Sequence, residues 1–133
     1  VTVVLVDVAN MLGARPDGWW RDRAGATTRL LRRLAPLAGR LVRAPEGGTL
    51  LCRELVVVVE GAARDVRVPD GVTVVRARGS GDDALAARAA ALAADDVAML
   101  VVTADRGLRS RLPAGTPVTG PGWLYRVLPD APA

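Results

Sequence analysis

Four apolar residues in a row, Val3-Val4-Leu5-Val6, stop abruptly at Asp7. Aliphatic and β-branched runs of this kind mark strands buried on both faces of a sheet. The pattern returns at Leu55-Val56-Val57-Val58-Val59, which ends on Glu60-Gly61, and at Val97 to Thr103, with Asp105 two residues further on. Shorter strands are expected at Val72 to Val75 and near Thr116 to Thr119. Between them Leu30, Leu31, Leu34, Leu37 and Leu41 recur at helical spacing, predicting a helix from about Asp22 to Arg43 that Pro36 kinks or divides. An alanine-rich helix opens at Gly79-Ser80-Gly81-Asp82-Asp83 and runs to about Ala94. A shorter one begins at Arg106 and closes before Pro113, and a last helical turn passes through Trp123-Leu124-Tyr125-Arg126. Gly13, Pro16 and Gly18 predict a loop after the first strand, and Ala44-Pro45-Glu46-Gly47-Gly48 a turn. Strands alternating with helices imply a parallel sheet covered on both faces, an α/β sandwich. With no repeat and no linker, residues 1–133 read as a single domain, with 129–133 a loose tail.

Composition narrows the chemistry. Half of the residues are apolar, as a folded globule requires. The net charge of +4 permits a polyanionic partner without demanding one. All 18 basic residues are arginine, and there is no histidine, so any reaction proceeds without imidazole as general base. The single cysteine, Cys52, can form neither an internal disulfide nor a thiolate zinc cage. No apolar run reaches the length of a membrane span and no signal sequence is visible, so a cytoplasmic protein off the membrane is expected. Whether it forms a homodimer is left open.

The acids carry the functional signal. Asp7, Glu60 and Asp105 sit at or just beyond strand ends, and Asp82 and Asp83 begin a helix. In an open parallel sheet all of these lie on the carboxyl edge, where ligands bind. Carboxylates gathered there repel and raise one another's pKa. A hard divalent cation, Mg²⁺ or Mn²⁺, relieves that repulsion. It also activates water and polarises phosphate, supplying a nucleophile where histidine is absent. Asp7, Asp82, Asp83 and Asp105 are therefore the candidate metal-binding and catalytic set, with Glu60, Asn10 and Thr103 in support. Local alternatives exist: Ser80-x-x-Asp83 has the form of a helix cap, and Asp105 could cap the helix after it.

The segments VVLVDVANMLG, VVVVEG, GSGDDALA and VVTADRGLR, together with RPDGWWRDRAGA, resemble the PIN-like nuclease superfamily. Within it they are most similar to small actinobacterial members of the NYN branch. The resemblance covers nearly the whole chain. It implies a Rossmann-like three-layer α/β/α sandwich with a mostly parallel sheet, and a divalent-metal-dependent ribonuclease site. Asp7 would be the first-strand ligand, Asp82 or Asp83 the mid-chain acid and Asp105 the acid after the later strand, with Asn10 as polar support. Val8 stands where that branch usually has glycine.

Arg15, Arg21 and Arg23 flank Trp19 and Trp20 just after the first strand, near the proposed cleft, and Arg106 adjoins Asp105. Indole faces stack on bases and guanidinium groups pair with phosphates, so these are candidate contacts to a single-stranded RNA. Tryptophans also pack cores, and Asp22 could pair with a nearby arginine. Arg29, Arg32, Arg33 and Arg40 share a helical face that reads as solvated surface. Two alternatives stand beside the nuclease: a non-catalytic RNA-binding or scaffold module, and a nucleotide phosphohydrolase of the pyrophosphohydrolase kind. No lysine-bearing phosphate loop, dinucleotide fingerprint or second acid two residues after Asp7 points to other phosphate chemistries.

Overall fold

The computed structural model describes residues 1–15, 18–61 and 67–128. The expected loose tail lies outside them. Strand β1 spans Thr2–Asp7 and runs directly into a short helix, α1, Val8–Gly13. A 3-10 turn, Trp19–Arg21, precedes α2, Arg23–Leu34, and a second, Ala35–Leu37, follows it. Then come β2, Leu41–Arg43; β3, Thr49–Val59; β4, Val72–Arg76; α3, Gly81–Ala94; and β5, Met99–Val102. Helix α4, Arg106–Ser110, strand β6, Val118–Thr119, and helix α5, Pro121–Val127, complete the order.

Three expectations need correction. The stretch after β1 is helical where glycines and Pro16 predicted a loop, because Val8, Met11 and Leu12 turn one face into the core. The helix expected to reach Arg43 ends at Leu34. Pro36 sits in the 3-10 turn after it, and Gly39 takes a left-handed φ of 82° that releases Leu41–Arg43 as a strand. Strand β3 begins at Thr49 and not at Leu55, its first half alternating buried Leu50 and Cys52 with more exposed neighbours.

Five strands run parallel in the spatial order β4-β3-β1-β5-β6, and β2 pairs antiparallel with the start of β3. Side chains alternate across the sheet and define two cores. Val4, Val6, Leu55, Val57 and Val102 face α1, α2 and α5 on one side. Val3, Leu5, Val56, Val58 and Val101 face Leu85 and Ala89 of α3 and Leu108 of α4 on the other. Helices thus cover both faces of a mostly parallel sheet, the expected three layers. From β1 the chain works outward through β3 to β4, then returns to the far side of β1 with β5. Between β1 and β5 the winding reverses, which opens a crevice beyond the carboxyl ends of the strands.

Candidate active site

Asp7 ends β1 at that crevice. Its Oδ1 accepts the backbone N–H of Asn10 at 3.2 Å, so it also caps α1. Its Oδ2 accepts the hydroxyl of Thr103 at 3.0 Å. Thr103 is fully buried just past β5, and its oxygen accepts the N–H of Asp105 at 3.1 Å. One residue between them, Ala104, donates its N–H to the Asn10 side-chain oxygen at 2.8 Å. The loop leaving β5 is therefore tied twice to the β1–α1 junction. Asp105 Oδ1 accepts the N–H of Leu108 at 3.0 Å and caps α4.

The third contribution comes from β3 and α3. Glu60, just past β3, accepts the N–H of Gly81 through Oε2. A side chain at Gly81 would bring a Cβ within 2.9 Å of that oxygen, so glycine permits the close approach. The other Glu60 oxygen lies 3.7 Å from the Arg23 guanidinium. Ser80 caps α3 by accepting the N–H of Asp82 at 3.1 Å. Asp7, Asn10, Glu60, Ser80, Asp82 and Asp105 together line a polar cleft of about 280 Å³.

Electrostatics bind these residues into one unit. Burial pushes the Asp7 carboxyl above the ordinary aspartate range. The bonds from Asn10 and Thr103 oppose that shift, and the charges of Asp82 and Glu60 add to it. Asp82 is also raised, first by burial and then by Asp105 and Glu60, with Arg111 acting the other way. The cleft thus holds acids that disfavour one another's ionisation. An all-oxygen donor set under such repulsion suits a hard cation. Among the described residues, no group of three or more Asp, Glu or Cys side chains is arranged to hold a metal ion as it stands. Mg²⁺ characteristically keeps several waters and takes one or two carboxylates. The donor set fits that hydrated mode and does not fit a closed cage.

No family model matches the chain, and no curated protein matches it. Among solved structures, the crystal structure of Rae1 (YacP) from Bacillus subtilis is similar over 95% of this chain and 74% of that one, with a TM-score of 0.64 and 20% identity. The fold is PIN-like. At that identity the likeness concerns architecture, and each side chain's role rests on its surroundings here.

On this PIN-like frame the expected residues separate. Asp7, Asp82 and Asp105 meet at the cleft, as do Asn10 and Glu60. Asp83 does not line it: exposed, its Oδ1 accepts from Arg111 Nη2 at 2.6 Å. Glu60, expected only as support, faces the same space as the aspartates. Arg21, Arg106 and Trp20 are exposed and outside the cleft lining, with Trp20 58% accessible. Arg15 lies over the ring of Tyr125, its guanidinium 4.0 Å from the centroid, at a different groove. The backbone of Trp19 opens the first 3-10 turn. Asp22 accepts the N–H of Gly25 at 3.0 Å and caps α2, in place of the arginine pairing considered for it. Arg23, expected near the cleft as a candidate phosphate contact, reaches Glu60 at its edge.

Proposed function

We propose that the cleft is the active site of a divalent-metal-dependent ribonuclease that hydrolyses phosphodiester bonds of RNA. The observation that carries this reading is the convergence of Asp7, Glu60, Asp82 and Asp105, from four separate segments, on one polar cleft at the reversal point of the sheet. Asp7 would hold the ion with Asp82 and Asp105 beside it. When bound, Mg²⁺ or Mn²⁺ lowers the pKa of a water and polarises a phosphate oxygen.

The chain's own groups do the rest. Thr103 and the Asn10 N–H fix both oxygens of Asp7, so its carboxylate is oriented before anything binds. Glu60 is held by Gly81 and faces Arg23, which keeps its charge at the rim. With no histidine in the chain, a proton leaving an attacking water passes to a carboxylate. Asp82, held above the ordinary aspartate range, suits that task. The resemblance to the PIN-like superfamily supports RNA as the substrate class.

The decisive measurement is cleavage of a labelled single-stranded RNA with Mn²⁺ by the wild type and by Asp7→Asn. Cutting by the wild type alone is expected, and equal rates in the two would end the assignment. A second reading, a non-catalytic RNA-binding module, is favoured by the lack of a ready metal cage among the described residues and by Val8 in place of glycine. RNA bound in EDTA and left intact when Mn²⁺ is added would select it.

A further inference from the structure

A second groove lies at the other end of α1. Arg15, just beyond that helix, Arg29 and Arg33, one turn apart on α2, and Tyr125 of α5 line it above Leu12 and Leu30. Its volume is about 440 Å³, larger than the acidic cleft. The Tyr125 hydroxyl donates to the carbonyl of Met11 at 2.8 Å, fixing the ring against the end of α1. The Arg15 and Arg33 guanidinium groups lie 4.0 and 5.8 Å from the ring centroid. Stacking engages the flat face of a guanidinium and leaves its N–H edge available as a fork for phosphate. Among the described residues, no carboxylate lines the groove. Among the described residues, none of Arg15, Arg29 and Arg33 has an ion pair, and Arg33 Nε is buried with no hydrogen-bond partner. Three like charges gathered in one groove repel, and an anion with several phosphates relieves that.

Position decides which anion. Asp7 caps the start of α1 and Arg15 follows its end. Six helical residues measure about 9 Å, so a strand of a few nucleotides can reach from the cleft to the groove. We infer that the groove formed by Arg15, Arg29, Arg33 and Tyr125 is the track for RNA outside the cleft, gripping the strand's phosphates without reading its bases. The inference rests on the ribonuclease reading for the identity of the strand. It also gives Arg29 and Arg33, which look like ordinary solvated surface in the sequence, a common role.

The test is binding of a short labelled single-stranded RNA in EDTA, across a salt series, by the wild type and by the Arg15→Ala/Arg29→Ala/Arg33→Ala variant. Three phosphate contacts on a single strand contribute a slope of about −2 in log affinity against log salt, roughly a 20-fold loss between about 50 and about 200 mM. The variant is expected to lose that part of the slope and to bind correspondingly weaker at low salt. Unchanged affinity and slope would overturn the inference. Arg15 and Arg29 are exposed, so the single variants Arg15→Ala and Arg29→Ala serve if the triple variant does not fold. Each is expected to remove about 0.7 from the slope. A poly-glutamate peptide that binds as tightly as RNA, with the same loss in the variant, would make the groove an acidic-protein dock and equally overturn it. Cleavage by Asp7→Asn at the wild-type rate, with binding through the arginines intact, would remove the nuclease reading while leaving the track standing. Loss of cleavage in Asp7→Asn beside unaltered binding by the arginine variant would do the reverse.

Discussion

Asp7 is held in a state it resists. Burial and the charges of Asp82 and Glu60 penalise its ionised form, while Thr103 and the Asn10 N–H partly compensate. Asparagine keeps the shape and can still accept from Asn10, but it carries no charge. Asp7→Asn is therefore expected to melt at a higher temperature than the wild type while losing cleavage, the usual opposition between a strained site and a stable one. Thr103→Val is expected to lower stability and activity together. It removes the donor to Asp7 and the acceptor for the Asp105 N–H at a fully buried position. A stability loss of about 1–3 kcal/mol should appear in urea unfolding, with activity or metal affinity falling roughly 10–100-fold. The sequence made the placement of Asp7 and Asp105 legible, because an acid that closes an apolar strand falls at the carboxyl edge of the sheet. It could not separate Asp82 from Asp83. Both occupy the first turn of α3, and only the packed structure turns one toward the cleft and the other toward Arg111. Glu60, expected as support, is drawn to the cleft by a bond that local sequence does not reveal, since its partner Gly81 lies 21 positions away.

The longer segments were readable because their periodicity extends over many residues. The buried strands β1 and β5 and the helix α3 match the patterns that predict them, with ends displaced by a residue or two. The failures are short elements. Helix α1 has six residues, and its buried Val8, Met11 and Leu12 repeat at spacings of three and four over too brief a span to outweigh Gly13 and Pro16. Leu41 fits the helical rhythm of α2 yet is 68% exposed, on a strand that runs antiparallel to β3. What separates it from the helix is Gly39, whose φ of 82° is costly for any residue with a Cβ. Gly39→Ala should destabilise the protein by about 1–2 kcal/mol in a denaturant titration, although no atom crowds the site. A smaller loss would mean that the β2 connection relaxes to accept a right-handed residue.

For the molecule as a whole, the acidic cleft makes stability depend on pH and on metal together. Asp7 and Asp82 both have folded-state pKa values above the ordinary aspartate range. The stability each contributes is fully present below the unfolded-state pKa and is lost as pH rises through the folded-state value. The melting temperature is thus expected to fall as pH rises above the ordinary aspartate range, and to fall less in Asp7→Asn. Mn²⁺ added at neutral pH takes the place of the missing protons. It is expected to restore the melting temperature of the wild type, with little effect at low pH or on Asp7→Asn. Thermal scans in EDTA and in Mn²⁺ across pH check both claims, and a wild-type melting point indifferent to Mn²⁺ would contradict them. Among the described residues, no helix is long and apolar enough to cross a membrane.

The bond from the Thr103 hydroxyl to Asp7 joins positions 96 apart in the chain. Closing a loop of that length costs chain entropy, and the bond is made where the ends of the paired strands β1 and β5 meet. A chain whose sheet is not yet assembled carries Asp7 without its bond to Thr103. The alignment of this cleft is thus a property of the assembled sheet and of no single segment.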